Sequence, residues 1–373
     1  MDYRLPEEVR LLRETVRGFV RESVRPLEGA WRPGEGLPAE VVASLQAARR
    51  RLGLWGLSAP AGHGGAGLSW LGQAVIQEEL QRSPLGLWTL GVFAAGEPPF
   101  PMYDLQGEAR ERYLLPCLEG TRQAHQLVAP GGSGEGNVAV QWGPDGAVID
   151  GALRSVPRVL TADIMLLVVE DGPDAWAFLC DPDLSGYRIG PARGTMGSVE
   201  LVDLLWEGCR IPRERILASA GPAARRWRAH QQATVLAAGA VGAAQRCLED
   251  ALHHVRVRET FGRPLADRQA IQWMLADSAR ELHAARLLVY RAASLADAGL
   301  DAASAARRAK VFATTVATRI VDRVIQMHGA YGYSQDLPFE RFWRELRFYA
   351  YAEGDNRELL EAEADGLVAD LIG

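Results

Sequence analysis

Ile164-Met165-Leu166-Leu167-Val168-Val169 is an apolar run set between Asp163 and Glu170. It is too short for a typical helix and reads as a β-strand. Other short apolar runs surround it: Val138-Ala139-Val140, Ala147-Val148-Ile149 and Trp176-Ala177-Phe178-Leu179. Between them lie Gly143-Pro144-Asp145-Gly146, Asp150-Gly151 and Asp171-Gly172-Pro173-Asp174. Glycine, proline and aspartate supply the backbone angles that tight reversals need. Short strands with turns at close spacing predict a β domain, barrel or sandwich, over residues 119–220.

Both flanks change to helical spacing. Val9, Leu12, Val16, Phe19 and Val20 recur at the helical period from Glu7 to Val24. Pro38 suits the first turn of a second helix that runs toward Leu52. The glycine loop Gly62-His63-Gly64-Gly65-Ala66-Gly67 precedes a helix from Ser69 to Gln81. Residues 1–118 therefore form a helical N-terminal domain. Past residue 220 the helices are longer. Ile271, Leu275, Leu282 and Val289 form one stripe of a helix that opens at Gln269 and is stopped by Gly299. Asp301 caps the next helix, which reaches His328. Residues 221–373 are expected to form a four-helix bundle. In Ala237-Ala238-Gly239-Ala240-Val241-Gly242-Ala243-Ala244, small side chains allow a neighbouring helix close approach.

Composition narrows the function. The 373 residues carry a net charge of −6, which disfavours a nucleic-acid partner. No apolar run nears the ~20 residues that cross a bilayer. The N-terminus, Met1-Asp2-Tyr3-Arg4, is charged at once and does not read as a signal peptide. Cys117, Cys180, Cys209 and Cys247 have neither CxxC nor metal-type spacing, as expected of reduced cytoplasmic thiols. No metal site is expected.

One carboxylate stands out. In Tyr349-Ala350-Tyr351-Ala352-Glu353-Gly354-Asp355-Asn356, Glu353 follows aromatic and small residues in a glycine turn ahead of a last acidic helix. A carboxylate in an apolar turn is suited to taking a carbon-bound proton. Asp355, with Glu358 three residues on, has capping-box spacing for that helix and adds negative charge near Glu353.

The order helical, β, helical-bundle resembles the acyl-CoA dehydrogenase family. Local motifs carry the resemblance further: Gly53-Leu54-Trp55-Gly56-Leu57-Ser58-Ala59-Pro60, Glu78-Glu79-Leu80, Arg112-Tyr113-Leu114-Leu115-Pro116, Arg258-Glu259-Thr260-Phe261-Gly262-Arg263-Pro264-Leu265, and Gln326-Met327-His328-Gly329-Ala330-Tyr331-Gly332-Tyr333. The resemblance implies an FAD-dependent enzyme that desaturates an acyl thioester on CoA or a carrier protein. It implies a homo-oligomer, typically a tetramer, with FAD between subunits. Glu353 matches the family's usual base. Arg258, Thr260 and Phe261 match residues at a neighbour's FAD pyrophosphate; Gln269, Gln326 and Gly329 match its adenosine end. Gly354 and Asp355 complete the cofactor-side turn, and Ser133 is the candidate for the CoA side. Electrons would pass to an electron-transfer flavoprotein or to oxygen. The other position used for a base in the family falls at Gln232, which cannot act as one. Taken alone, Arg258 would equally fit a surface ion pair, and Phe261 a core position.

The flavin-facing segments depart from the family. In Leu127-Val128-Ala129-Pro130, Val128 replaces a threonine that bonds the ring. In Asp150-Gly151-Ala152-Leu153-Arg154-Ser155-Val156-Pro157, Ser155 replaces a ring-stacking tryptophan and Pro157 a threonine. Ala233 stands where the family often has arginine. Two alternatives follow: a redox-neutral enzyme that has lost flavin, or a non-flavin subunit of a hetero-oligomeric dehydrogenase.

Overall fold

The computed structural model describes residues 5–31, 37–87, 98–133, 135–171, 174–217 and 220–372. Their helices are α1 (Glu7–Phe19), α2 (Ala39–Arg51), α3 (Trp70–Leu80), the short α4 (Gly107–Ala109) and α5 (Leu115–Glu119), α6 (Gly221–His230), α7 (Ala238–Val257), α8 (Gln269–Asp297), α9 (Ala303–His328), α10 (Phe339–Tyr349) and α11 (Asn356–Ile372). The strands are β1 (Ala124–Pro130), β2 (Val138–Gly143), β3 (Gly146–Pro157), β4 (Ile164–Asp171), β5 (Asp174–Cys180), β6 (Tyr187–Ile189), β7 (Leu201–Pro212), β8 (Ile216–Leu217) and a small hairpin, β9 (Glu259–Thr260) with β10 (Arg263–Pro264). The fold is mainly helical with a central β region, as the sequence predicts. Two compact units emerge. One comprises residues 1–48, 69–94 and 229–373, the other 49–68 and 95–228.

In the second unit two sheets, ordered β1-β4-β5-β8 and β2-β3-β7-β6, share one core. The apolar run Ile164–Val169 lies in β4, and its alternation explains why it is apolar throughout. Met165, Leu167 and Val169 enter the inter-sheet core with Ile149, Leu204 and Trp206. Ile164, Leu166 and Val168 pack on the other side with Met102, Tyr113, Leu114 and Ala224. A strand covered on both faces has no polar face to show. It pairs parallel with β1 and antiparallel with β5.

The first unit is helical. Ser69 caps α3, its side chain accepting from the Gly72 amide at 3.1 Å. The predicted Asp301 cap is displaced by one residue: Ala302 holds the N-cap position of α9, and Asp301 Oδ1 accepts from the Ala303 amide at 2.9 Å just ahead of it. The small residues of α7 meet α3 closely. A Cβ on Gly242 would stand 1.9 Å from the Glu78 carbonyl oxygen, so only glycine permits this approach. The first predicted helix runs as α1 and continues as a π-helical turn over Val20–Val24. A second π-helical turn, Gln231–Ala237, joins α6 to α7. The spacing of apolar residues does not announce either.

Candidate active site

The turn carrying Glu353 begins where α10 ends. Phe339, Phe342, Leu346 and Tyr349 recur at helical spacing and are buried, which fixes the face of α10. The Tyr349 hydroxyl donates to Oε1 of Gln81, the residue that follows α3, at 2.7 Å, securing the helix end. The backbone then reverses. Tyr351 N–H bonds Phe348 O at 2.9 Å and Asn356 N–H bonds Ala350 O at 2.9 Å. Glu353 has φ 55° and Gly354 φ 104°. The left-handed region costs a non-glycine residue roughly 1–2 kcal/mol, so something must hold Glu353 there.

Three side chains from the bundle supply that hold. Lys310 of α9, fully buried, donates from Nζ to Ala350 O at 2.9 Å and to Gly354 O at 2.5 Å. Gln232, on the π-helical turn, donates from Nε2 to the Glu353 carbonyl oxygen at 2.7 Å. Asn356 Nδ2 donates to Thr314 Oγ1 on α9 at 3.1 Å. Asp355 then caps α11, its Oδ1 accepting from the Arg357 amide at 2.7 Å. The turn is therefore not the purely apolar setting that its sequence suggests. Burial pushes the Lys310 ammonium down to about 8, against the pull of Asp355, Glu353 and Glu358.

A buried polar group lies at the start of the same π-helical turn. His230 Nε2 and Gln73 Oε1 are 2.5 Å apart, and the edge of Trp70 meets the imidazole at 5.0 Å.

A second set of predicted residues gathers at the opposite ends of α7 and α9. Arg258 follows α7 and leads into the β9–β10 hairpin, whose two-residue turn is Phe261-Gly262, with φ 52° and 75°. Such a turn requires positive φ at both positions, and phenylalanine tolerates it poorly. Phe261 is 98% exposed, which rules out a core role within one chain. The Arg268 guanidinium sits 5.7 Å from its ring centroid and also donates to Thr260 O. Arg258, Gln269 and Gln326 are exposed, and Thr260 is half-buried. Gly329 ends α9 with φ 61° and ψ −143°, a conformation essentially confined to glycine. His254 and His328 stack at 4.1 Å, linking the α7 turn before Arg258 to the residue before Gly329.

The third set lies in the β unit. Ser133 is exposed in the loop after β1, where its carbonyl accepts from Asn137 Nδ2 at 3.3 Å; neighbouring Gly134 is outside the described residues. Val128 lies in β1 opposite Val168. Ser155 sits at a bulge in β3 with φ 55°. Its amide donates to Asp203 Oδ1 at 2.9 Å, and its hydroxyl accepts from Arg193 Nη2 at 3.2 Å. Arg193 and the Ser155 amide hold the Asp203 carboxyl well below the usual carboxylate range. Arg154 joins the same carboxylate at 3.2 Å.

Known proteins match this chain over most of its length. The N-terminal domain of acyl-CoA dehydrogenases matches residues 6–121, and their C-terminal domain matches residues 220–367. The chain belongs to the acyl-CoA dehydrogenase family. It is 29% identical over 365 residues to a 3-(aryl)acrylate reductase of Clostridium sporogenes, covering 93% of this chain and 95% of that one. It is also 29% identical over 373 residues to a short-chain-specific acyl-CoA dehydrogenase of Clostridium acetobutylicum, covering 95% and 96%. Among solved structures, a glutaryl-coenzyme A dehydrogenase in complex with glutaryl-CoA gives a TM-score of 0.83 at 25% identity, covering 99% of this chain and 97% of that one. A chain from work on the electron transferring flavoprotein of Acidaminococcus fermentans gives 0.82 at 27%, covering 98% and 99%.

The family's FAD tests the residues unevenly. Exposed Arg258, the Phe261-Gly262 turn and Gly329 fit the dinucleotide end: a guanidinium suits phosphate, and glycine admits close backbone approach. The positions that the resemblance assigns to the flavin ring fit poorly. Val128 offers no hydroxyl, Pro157 no donor, and both polar groups of Ser155 are engaged by Asp203 and Arg193. Sequence reasoning missed Lys310 and saw Gln232 only as a failed base.

Proposed function

We propose that this acyl-CoA dehydrogenase family member desaturates an acyl thioester between its α and β carbons. Glu353 takes the α-proton, the β-hydrogen leaves with the bonding pair, and a C=C bond forms. Bound FAD would supply the two-electron acceptor, with Arg258, Thr260, Phe261, Gln269, Gln326 and Gly329 toward its pyrophosphate and adenosine, and Gly354 and Asp355 beside its reactive end. Ser133 would meet the carrier side of the thioester, CoA or carrier protein. The observation that supports this reading is the Glu353 turn: a left-handed carboxylate residue whose surrounding carbonyls are gripped by Lys310 and Gln232.

The electrons would leave to an electron-transfer flavoprotein or to oxygen. The protein would work as a homo-oligomer, for which a tetramer is the family's habit. Phe261 at 98%, Tyr333 at 82% and Trp273 at 64% exposure leave apolar surface for another copy. A cytoplasmic setting agrees with the free, buried thiols of all four cysteines.

The engaged polar groups of Ser155 support a second reading, in which the chain serves as a redox-neutral enzyme or a non-flavin subunit. Flavin absorbance separates the two. Purified protein near one FAD per chain, bleached anaerobically by butyryl-CoA, supports the flavoenzyme. Protein that stays colourless in excess FAD refutes it, and co-purification of a flavin-bearing homologue then selects the partner subunit.

A further inference from the structure

Lys310 is a lysine with no exposed surface on a helix rich in alanine and arginine. Lysine is rarely buried without a task that repays its desolvation. Its ammonium reaches across the Glu353 turn and bonds carbonyls on either side of that residue, Ala350 at 2.9 Å and Gly354 at 2.5 Å. A neutral donor such as glutamine can give one side-chain amide to such a turn, as Gln232 does at the Glu353 carbonyl. Lys310 gives two donors from one atom and brings a positive charge among Glu353, Asp355 and Glu358. We propose that Lys310 is the positioning residue of the α-proton step, stapling the turn so that Glu353 keeps its left-handed backbone. This rests on the reading of Glu353 as the base.

The staple has a working range. Burial brings the ammonium to about 8, with Asp355, Glu353 and Glu358 opposing that shift. Above that pH the amine is neutral: it keeps fewer and weaker donors and no charge. The turn should loosen as pH rises through 8. Arginine at this position would stay charged across the range.

The test compares wild type, K310R, K310M and E353Q as purified. Hydrogen exchange measured by mass spectrometry reads amide protection over residues 352–356, corrected for intrinsic rates. Solvent deuterium entry at the α carbon of butyryl-CoA reads proton removal without needing turnover. K310M should lower deuterium entry at least tenfold at pH 7, with the dissociation constant of butyryl-CoA changed less than threefold. Wild-type protection and deuterium entry should both decline between pH 7 and 9, while K310R holds its pH 7 values. K310M entry within threefold of wild type, when E353Q has lost it, overturns the Lys310 proposal alone. E353Q entry equal to wild type, or no entry in wild type, overturns the base reading and this proposal with it. Should K310M fail to fold, the wild-type pH profile decides: flat protection from pH 7 to 9 overturns the staple.

Discussion

Glu353 and Ser155 have the same backbone angle, φ 55°, and opposite polar arrangements. Around Glu353, side chains from α9 and the π-helical turn grip backbone carbonyls. At Ser155 the residue's own amide and hydroxyl are the groups engaged, by Asp203 and Arg193. The first arrangement holds a turn on behalf of a side chain. The second uses the residue up in tying β3 to its neighbours. Left-handed strain alone is thus a poor guide to function, and the direction of the hydrogen bonds separates the two cases.

The largest effect that can break this comparison is chemical. E353Q keeps shape and loses the base, so deuterium entry into butyryl-CoA and any flavin bleaching should fall by roughly 10²–10⁴-fold. Retained bleaching would put Glu353 in the same structural class as Ser155. Next comes G354A. Gly354 has φ 104°, and a Cβ would stand 3.1 Å from Leu359 Cδ2. Strain and crowding together should cost about 1–3 kcal/mol, read as a lower melting temperature and a lower denaturant midpoint. An unchanged midpoint would mean that the turn is not held as rigidly as its hydrogen bonds indicate.

Much of this was legible beforehand. β2 to β5 followed from apolar runs between turn residues, α8 and α9 from stripes and stop signals, and the turn at Glu353 from Gly354. β7 was missed for a physical reason. Val202, Leu204 and Trp206 face the core, then Cys209 and Ile211 do, so alternation changes parity across Gly208. A bulge of this kind hides a strand from a period-two reading. Lys310 was missed because burial comes from residues 40 and 44 positions away. A signal existed all the same: Ala306, Lys310, Ala313, Ala317 and Ile320 lie on one buried stripe of α9. A charge on an apolar stripe marks either an error of phase or a partner across the fold.

V128T sharpens the comparison from the flavin side. A hydroxyl at position 128 restores one donor and acceptor in β1 where the family has threonine. One regained hydrogen bond is worth about 0.5–1.5 kcal/mol, so FAD should bind up to about tenfold tighter. Fluorescence titration of protein stripped of flavin measures it. No change in affinity would argue that this wall does not face the ring in this protein.

The smallest effect is expected from S155G. Glycine adopts φ 55° freely, and removing the left-handed strain should stabilise by about 0.5–1 kcal/mol. The substitution also deletes the hydroxyl that accepts from Arg193, an exposed bond worth about 0.5 kcal/mol. The amide bond to Asp203 survives, because it belongs to the backbone. The two terms nearly cancel, leaving a net change of about 0.5 kcal/mol or less and no shift in FAD affinity. A large loss of stability would mean that the Ser155 hydroxyl organises the Arg154, Arg193 and Asp203 cluster. A large gain in FAD affinity would mean that the cluster stands in the flavin's way, and that Ser155, like Glu353, is held in its strained conformation for what it faces.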